Sequence, residues 1–492
     1  MLGNVKINMK QTFFNIYIWR RRNTLRPASR VVPMPTNQPA PEIPVHPITD
    51  APAAAGLMAG AATVDVTPPG SVFLFGYPHV PRMSTGIHDP LECAALYLRS
   101  QDGGSVLFLA NDVIFVSKTH AAEIRRRIHE RTGVPEEVIM VTATHTHSGP
   151  LMLDYLSNAA DPVVPKTDPQ YLALFTERVV AAAEQAVRGA EPAEVGFALA
   201  RADGVGTNRH DPSGPADLDV PVLVVRAFAS SRTLACMLVC AMHPTVLHED
   251  STLMSADFPF FARRHLRRVA LPSTGSVLFL QGASGNQSPR HVTRANTFAE
   301  AERLGEILGR NVAALLASAD YRRDAVVGSV RTFLHATPRE FPAAEEAAGN
   351  VAAARARFAR LKAENASRQI VRTAECDVFG AEETAELARA AADGRLAKAI
   401  AACMPAEIQV MRIGPWSFVG WPGEFFVEFG LELRRRVPRA FVVTMANGEL
   451  QGYVVTEEAA ARGVYEATNA VFAPANGARF VEMSVALLAV KT

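Results

Sequence analysis

Val138, Ile139, Met140, Val141 and Thr142 form a β-branched, apolar run that reads as a buried strand. The chain leaves that strand through Thr144-His145-Thr146-His147-Ser148-Gly149-Pro150, and the Ser-Gly-Pro end breaks it. If the strand continues through them, His145 and His147 point to the same side. At the end of a parallel strand they would face the crevice where α/β proteins bind ligands. Neutral imidazole is the commonest metal ligand, so the pattern reads either as a metal site or as a pair of hydrogen-bonded surface histidines.

The sequence around this strand supports a parallel pairing. Residues 93–98 and 105–116 read as strands, the second almost wholly apolar and so central. Residues 118–132 have the period of an amphipathic helix, with arginines outward. The resulting β-α-β order predicts that the strand before His145 lies parallel to its predecessor. Asn111-Asp112 places a carboxylate near the end of the apolar strand, either bonded to the backbone or supporting a metal ligand. A helix is predicted over 169–190 and strands near 193–200, 220–227 and 233–241. A basic helix follows to about residue 270, then a short strand at 276–281. Another helix covers 297–318, with strands at 327–335, 406–413, 416–421 and 440–444. Residues 340–400 are rich in Ala, Glu, Arg and Lys and read as a structural helical hairpin. The expected class is α/β: a mixed sheet core flanked by helices, with a helical insertion near 340–400.

Composition narrows the partners. Of the 492 residues, 48% are hydrophobic and 20% charged, which suits a large globular core. A formal net charge of +1 gives no case for nucleic acid or an anionic membrane. The five cysteines are too few and scattered for a disulfide framework, and Cys236 and Cys240 sit in an apolar run as core residues. No stretch approaches the ~20 apolar residues of a membrane span. Residues 1–57 read as a disordered Pro/Ala-rich tail ahead of a domain over 58–492. Their apolar run at 13–19 precedes Arg20-Arg21-Arg22, the reverse of a secretory signal, so the cytoplasm is the default location. Met34 or Met58 as the first residue, or a surface anchor around Trp19, are the other readings of this segment.

Two further chemical residues stand at strand ends. His243 follows the strand at 233–241 and is stopped by Pro244, mirroring His145. Glu424 follows Trp421-Pro422-Gly423 at the start of a helix. Two histidines and a glutamate in such places make a plausible three-ligand zinc site with an open position. Ser288 closes a small-residue loop, Gly282-Ala283-Ser284-Gly285-Asn286-Gln287-Ser288, and is either a nucleophile or a turn hydroxyl.

Gly76-Tyr77, Gly86-Ile87-His88, His145-Thr146-His147-Ser148-Gly149-Pro150, Asn208-Arg209, His243-Pro244, Gly285-Asn286-Gln287-Ser288-Pro289, Pro422-Gly423-Glu424 and Tyr453-Val454-Val455-Thr456 occur in this order. Together they resemble the neutral ceramidase family across its catalytic domain. The resemblance implies a zinc amidase acting on a small-molecule or lipid N-acyl amide. It implies zinc held by His145, His243, Glu424 and Tyr453, with His147, Arg209 and Tyr465 lining the substrate site. Under it, Ser288 is a nucleophile or a substrate contact, and His147 carries a proton to the leaving amine. An esterase or lactam hydrolase on the same site, or a catalytically weak lipid-binding relative, are the alternatives. The sequence does not address oligomeric state.

The chain departs from the family pattern at three points. Leu151-Met152 stand where relatives have two glycines, and Arg290 where many have Asn. The chain also stops near the end of the catalytic domain, without the family's C-terminal β-sandwich. The expectation from Leu151 and Met152 is a narrowed substrate groove and a preference for smaller amides.

Overall fold

The computed structural model describes residues 56–77, 79–272 and 275–490. The expected tail therefore lies outside the described residues, apart from Gly56 and Leu57. Leu57 is buried, and its N–H bonds to the Arg323 carbonyl.

The apolar runs assemble into one nine-stranded sheet. In chain order its strands are β1 (Met58–Asp65), β2 (Glu92–Arg99), β3 (Ser105–Asn111), β4 (Ile139–Ala143), β5 (Glu191–Arg201), β6 (Asp219–Ala227), β7 (Thr233–Cys240), β8 (Ser276–Gln281) and the short β9 (Asp320–Arg322). They lie side by side as β8-β7-β6-β5-β1-β2-β3-β4, with β9 added to β5. Only the outermost pairs, β3 with β4 and β7 with β8, run parallel. Parallel neighbours need a crossover, usually a helix. The helix α1 (Lys118–Thr132) closes the first pair, as its periodicity predicts. After α2 (Pro169–Arg188), helix α3 (Phe258–Val269) closes the second, and α4 (Phe298–Leu316) packs beside α3.

Side-chain alternation separates two cores. Leu107 and Leu109 of β3 join α1 and α2 on one face, whereas Val106, Phe108 and Ala110 point to the other. On β8, Val277 and Phe279 pack with α3 and α4, while Leu278 and Leu280 face the opposite way. Cys236 and Cys240 lie buried in the core under α3 and α4.

The inner face of this sheet packs on a second, four-stranded sheet: β10 (Val327–Leu334), β11 (Ala406–Ile413), β12 (Trp416–Gly420) and β13 (Ala440–Val443). Met411 and Ile413 of β11 enter the shared core, and Ile408 and Val410 point to the far side. The insertion lies between β10 and β11: α5 (Ala344–Ala363), α6 (Arg368–Asp393) and α7 (Arg395–Cys403), with α5 and α6 paired as a hairpin. The chain finishes through α8 (Val427–Arg436), α9 (Glu457–Arg462), α10 (Tyr465–Asn469) and α11 (Ala475–Ala489). The expected mixed α/β class and the helical insertion are both present.

Two links bring the ends of the sheets together. Thr444 N–H bonds to the carbonyl of Gln281, the last residue of β8, and Thr142 of β4 forms a bridge with Ala446. The segments that leave β4, β7, β8 and β12 therefore meet at one end of the molecule.

Candidate metal centre

His145 is positioned by the strand beside it. Strand β4 ends at Ala143, so the histidines do not continue a strand. Instead Thr144 N–H and His145 N–H bond to the carbonyls of Asn111 and Val113, at and just after the end of β3. His145 takes a left-handed φ of 67°, an unfavourable conformation for a β-carbon-bearing residue. Its Nδ1 lies 2.8 Å from the Ile114 carbonyl. A carbonyl can only accept, so Nδ1 carries the proton and Nε2 presents a lone pair.

His243 is oriented by the small-residue loop. Its Nδ1 lies 2.7 Å from the Ser284 carbonyl and 3.2 Å from that of Gln287. The loop's close backbone approach thus serves a histidine. Glu424 pairs with Tyr453 in a short parallel bridge after β12. Glu424 Oε2 stands 3.1 Å from His243 Nε2 and 3.2 Å from His145 Nε2. The two imidazole Nε2 atoms are 3.2 Å apart, and His147 Nε2 is 3.4 Å from that of His145.

These distances suit a shared cation. Two ligands ~2.0–2.1 Å from a tetrahedral ion stand about 3.3 Å apart. The proton inventory points the same way. Burial disfavours a charged His145, yet Glu424 beside it raises its pKa, and one added proton there would satisfy the His145–Glu424 contact. Burial holds His243 below its ordinary value, so its Nε2 lone pair still faces the Glu424 oxygen, acceptor against acceptor. A cation bonded to all three atoms removes that conflict. Burial alone would raise the Glu424 carboxyl, but His145 and His243 hold it well below the usual range.

His147 is held differently. Its ring lies against Gly76, where a β-carbon would come within 2.5 Å of the imidazole and where φ is 122°. Only glycine meets both conditions. Arg82, fully buried, donates to the His147 carbonyl at 2.9 Å. The His147 Nδ1 is buried without a hydrogen-bond partner, unlike those of the other two histidines. The three imidazoles form a group able to hold a metal ion, so His147 stands within reach of the role expected for His145.

Asp112 takes the backbone-bonded role of the two considered for it, and it bonds to none of the three histidines directly. Its carboxylate accepts from the Glu92 amide and from Thr144 Oγ1, the residue before His145. The fully buried Arg263 grips it with Nη1 at 2.8 Å and Nη2 at 2.5 Å. This support braces the turn into His145.

Tyr453, Arg209 and Tyr465 gather on the Glu424 side. Burial and then Glu424 push the Tyr453 phenol well above its ordinary pKa. The Arg209 guanidinium lies 5.4 Å from the Tyr453 ring centroid, and the Tyr465 ring is 6.5 Å away in an edge-on arrangement. Arg209 Nε donates to Glu466 at 2.6 Å, and His210 Nε2 lies 2.9 Å from the other Glu466 oxygen. Ser288 is buried, and its Oγ accepts from the Arg290 amide at 3.3 Å in a short helical turn. Its neighbour Gln287 is one of the two loop residues whose carbonyls touch His243.

Sequence reasoning missed two buried acids here. Glu466 directly follows Tyr465 and neutralises Arg209. Glu449 accepts from the Tyr155 hydroxyl at 3.1 Å, and burial followed by Glu424 pushes its pKa up to about 8. Glu466 is a lone carboxylate beside Val464, Tyr465 and Ala467, whereas Glu449 sits in the polar turn Asn447-Gly448-Glu449-Leu450-Gln451-Gly452 and carries no such signal.

The expected narrowing of the groove is not present. Leu151 and Met152 are 6% and 1% exposed and pack in the core with Phe73, Phe75 and Phe115. Leu151 N–H bonds to the Phe73 carbonyl, which directs this segment inward. Little of either side chain is left exposed to line a groove.

A neutral ceramidase of Mycobacterium tuberculosis is 26% identical over 218 residues, which is 40% of this chain and 33% of that protein's length. The crystal structure of neutral ceramidase from Pseudomonas aeruginosa matches with a TM-score of 0.69 at 18% identity, covering 88% of this chain and 74% of that one. A ceramidase structure described as complexed with C2 matches with a TM-score of 0.68, also at 18% identity, over 88% and 75% of the two chains. No family model matches. The likeness read from the motifs is borne out, and the chain has the neutral ceramidase fold.

Proposed function

We propose that this chain, with its neutral ceramidase fold, is a zinc-dependent hydrolase of linear N-acyl amides. The observation that carries this reading is the convergence of His145 Nε2, His243 Nε2 and Glu424 Oε2 within 3.1–3.2 Å of one another. Tyr453 is the fourth expected donor. Zinc bound there supplies positive charge that polarises a carbonyl and acidifies water.

The chain's own residues supply the rest. The Ile114, Ser284 and Gln287 carbonyls fix the tautomers of His145 and His243, as metal ligands require. His147 has no such second partner. Its unpartnered Nδ1 sets it apart from the two oriented imidazoles, and we assign it to the departing amine rather than to the metal. Arg209 and Tyr465 bring hydrogen-bond donors to the same side, where the carbonyl oxygen gathers charge during attack. Glu466 balances the Arg209 charge and holds its guanidinium in place.

The substrate class follows from the relatives named neutral ceramidase, which make a lipid N-acyl amide the first candidate. With Leu151 and Met152 in the core, nothing about them favours shorter acyl chains. The test is amine release from N-acyl amides of graded chain length, with and without chelator. Turnover that disappears on chelation and returns with zinc supports the reading. Metal-loaded protein that cleaves esters or lactams but no amide would replace it with the esterase or lactamase alternative.

A further inference from the structure

The helical insertion reads from sequence as structural, yet α6 lies against the residues of the candidate site. Phe379 stacks on His79 at 4.9 Å and 19°, close to the turn that carries Gly76. Arg372 pairs with Glu249 at 3.0 Å, in the loop after His243. Just past Phe379, α6 meets α10, which begins at Tyr465.

Helix α10 has five residues and no side-chain cap at its start. A helix that short does not hold itself in water, so its position is set by what packs on it. Three neighbouring residues of α6 do so. A β-carbon on Gly380 would collide with Thr468 and come within 3.4 Å of the Tyr465 ring, so the helices touch there. Thr384 Oγ1 donates to the Thr468 carbonyl at 2.7 Å. Glu383, 2% exposed, accepts from Asn469 Nδ2 at 2.5 Å.

We propose that Glu383 of the insertion is a positioning residue of the active site, anchoring α10 and so fixing the Tyr465 phenol beside Tyr453. The inference rests on the assignment of Tyr465 to the substrate site made above. A buried carboxyl must be matched by donors, and Asn469 at the end of α10 is one that Glu383 has. Truncating it loosens the C-terminal end of the helix and leaves Asn469 unpaired. Misplacing a group by about 1 Å through a remote change costs up to 10²-fold in rate. The insertion then sets turnover without touching the metal ligands.

The experiment is a double-mutant cycle on the zinc-loaded full chain, with kcat, KM, metal content and melting temperature read for each variant. Glu383→Ala is expected to lower kcat roughly tenfold to a hundredfold with metal content unchanged. Glu383→Gln, which keeps an acceptor for Asn469, retains most of it. Tyr465→Phe lowers kcat, and adding Glu383→Ala to it costs nothing further, because the carboxyl acts through that phenol. If Glu383→Ala does not fold, Asn469→Ala breaks the same anchor from the other side and is expected to reproduce the loss. Unchanged kcat in Glu383→Ala, or additive losses in the double variant, overturns the inference while leaving Tyr465 in its role. Wild-type kcat in Tyr465→Phe overturns the assignment of Tyr465 itself.

Discussion

The Nε2 atoms of His145 and His243 face each other at 3.2 Å, each ring locked by its Nδ1–H on a backbone carbonyl. Without a cation, His243 and Glu424 oppose lone pairs across this gap. The purified protein is expected to hold about one zinc per chain, and chelation should lower its melting temperature. Ligand at 1,000 times its Kd adds about 4 kcal/mol, several degrees for a domain of this size. His243→Ala should abolish both the metal and the zinc-dependent stabilisation. Metal analysis paired with thermal melts decides it: a melting temperature indifferent to chelator and zinc would dismiss the site.

His147 differs from the other two histidines in having no partner on Nδ1. His147→Ala is therefore expected to keep its zinc while losing roughly 10²-fold or more in kcat, the range for a lost proton carrier. Metal titration and steady-state kinetics on one preparation separate the roles. Loss of zinc in this variant would make His147 a ligand, as the three-histidine grouping permits.

Leu151 and Met152 offer a test of stability against specificity. Both are core residues, so Leu151→Ala or Met152→Ala should cost about 2–5 kcal/mol of folding free energy. The ratio of kcat/KM between long and short N-acyl amides should stay put. Denaturant titration and a two-substrate competition measure the two quantities. A change in chain-length preference without loss of stability would return these side chains to the groove.

Much of the fold was legible because its elements carry their own periodicity. Residues 118–132 and 276–281 read as helix and strand with the limits the structure gives them. The parallel pairing of β3 and β4 followed from chain order alone. The position of β5 beside β1 did not, because that pairing joins residues more than 130 apart. At the site, His145, His243 and Glu424 were visible as polar residues stopping apolar strands. Their tautomers were not, since those depend on carbonyls of Ile114 and Ser284, which have no side-chain signature. Glu466 escaped notice because its partner Arg209 lies 257 residues away. Leu151 and Met152 were misread because aligning a motif gives a residue's place in the chain and not the direction of its side chain. The single strand expected over 105–116 ends at Asn111, and the freed carbonyls of Val113 and Ile114 turn to His145.

Two buried acids give the metal-free protein opposite pH limbs. Burial would raise Glu466, but Arg209 and His210 hold it down to about 2, against an ordinary 4.5. Between those values the unfolded chain binds a proton that the native chain does not. Stability from Glu466 is therefore complete above about pH 4.5 and is lost as pH falls toward 2. Glu449 is raised to about 8, by burial first and Glu424 second. Here the native chain keeps the proton longer, so stability is greatest below the ordinary value of 4.5 and declines as pH climbs toward 8. Moving a pKa by one on folding corresponds to about 1.4 kcal/mol, so each limb spans a few kcal/mol. Urea titrations in chelator across the pH range should show a dome, with Glu466→Gln flattening the acid side and Glu449→Gln the alkaline side. Glu466→Gln should also free Arg209 and reduce turnover in the zinc-loaded enzyme. An acid limb of unchanged slope in Glu466→Gln would show that the Arg209–Glu466–His210 cluster does not hold the fold together at low pH.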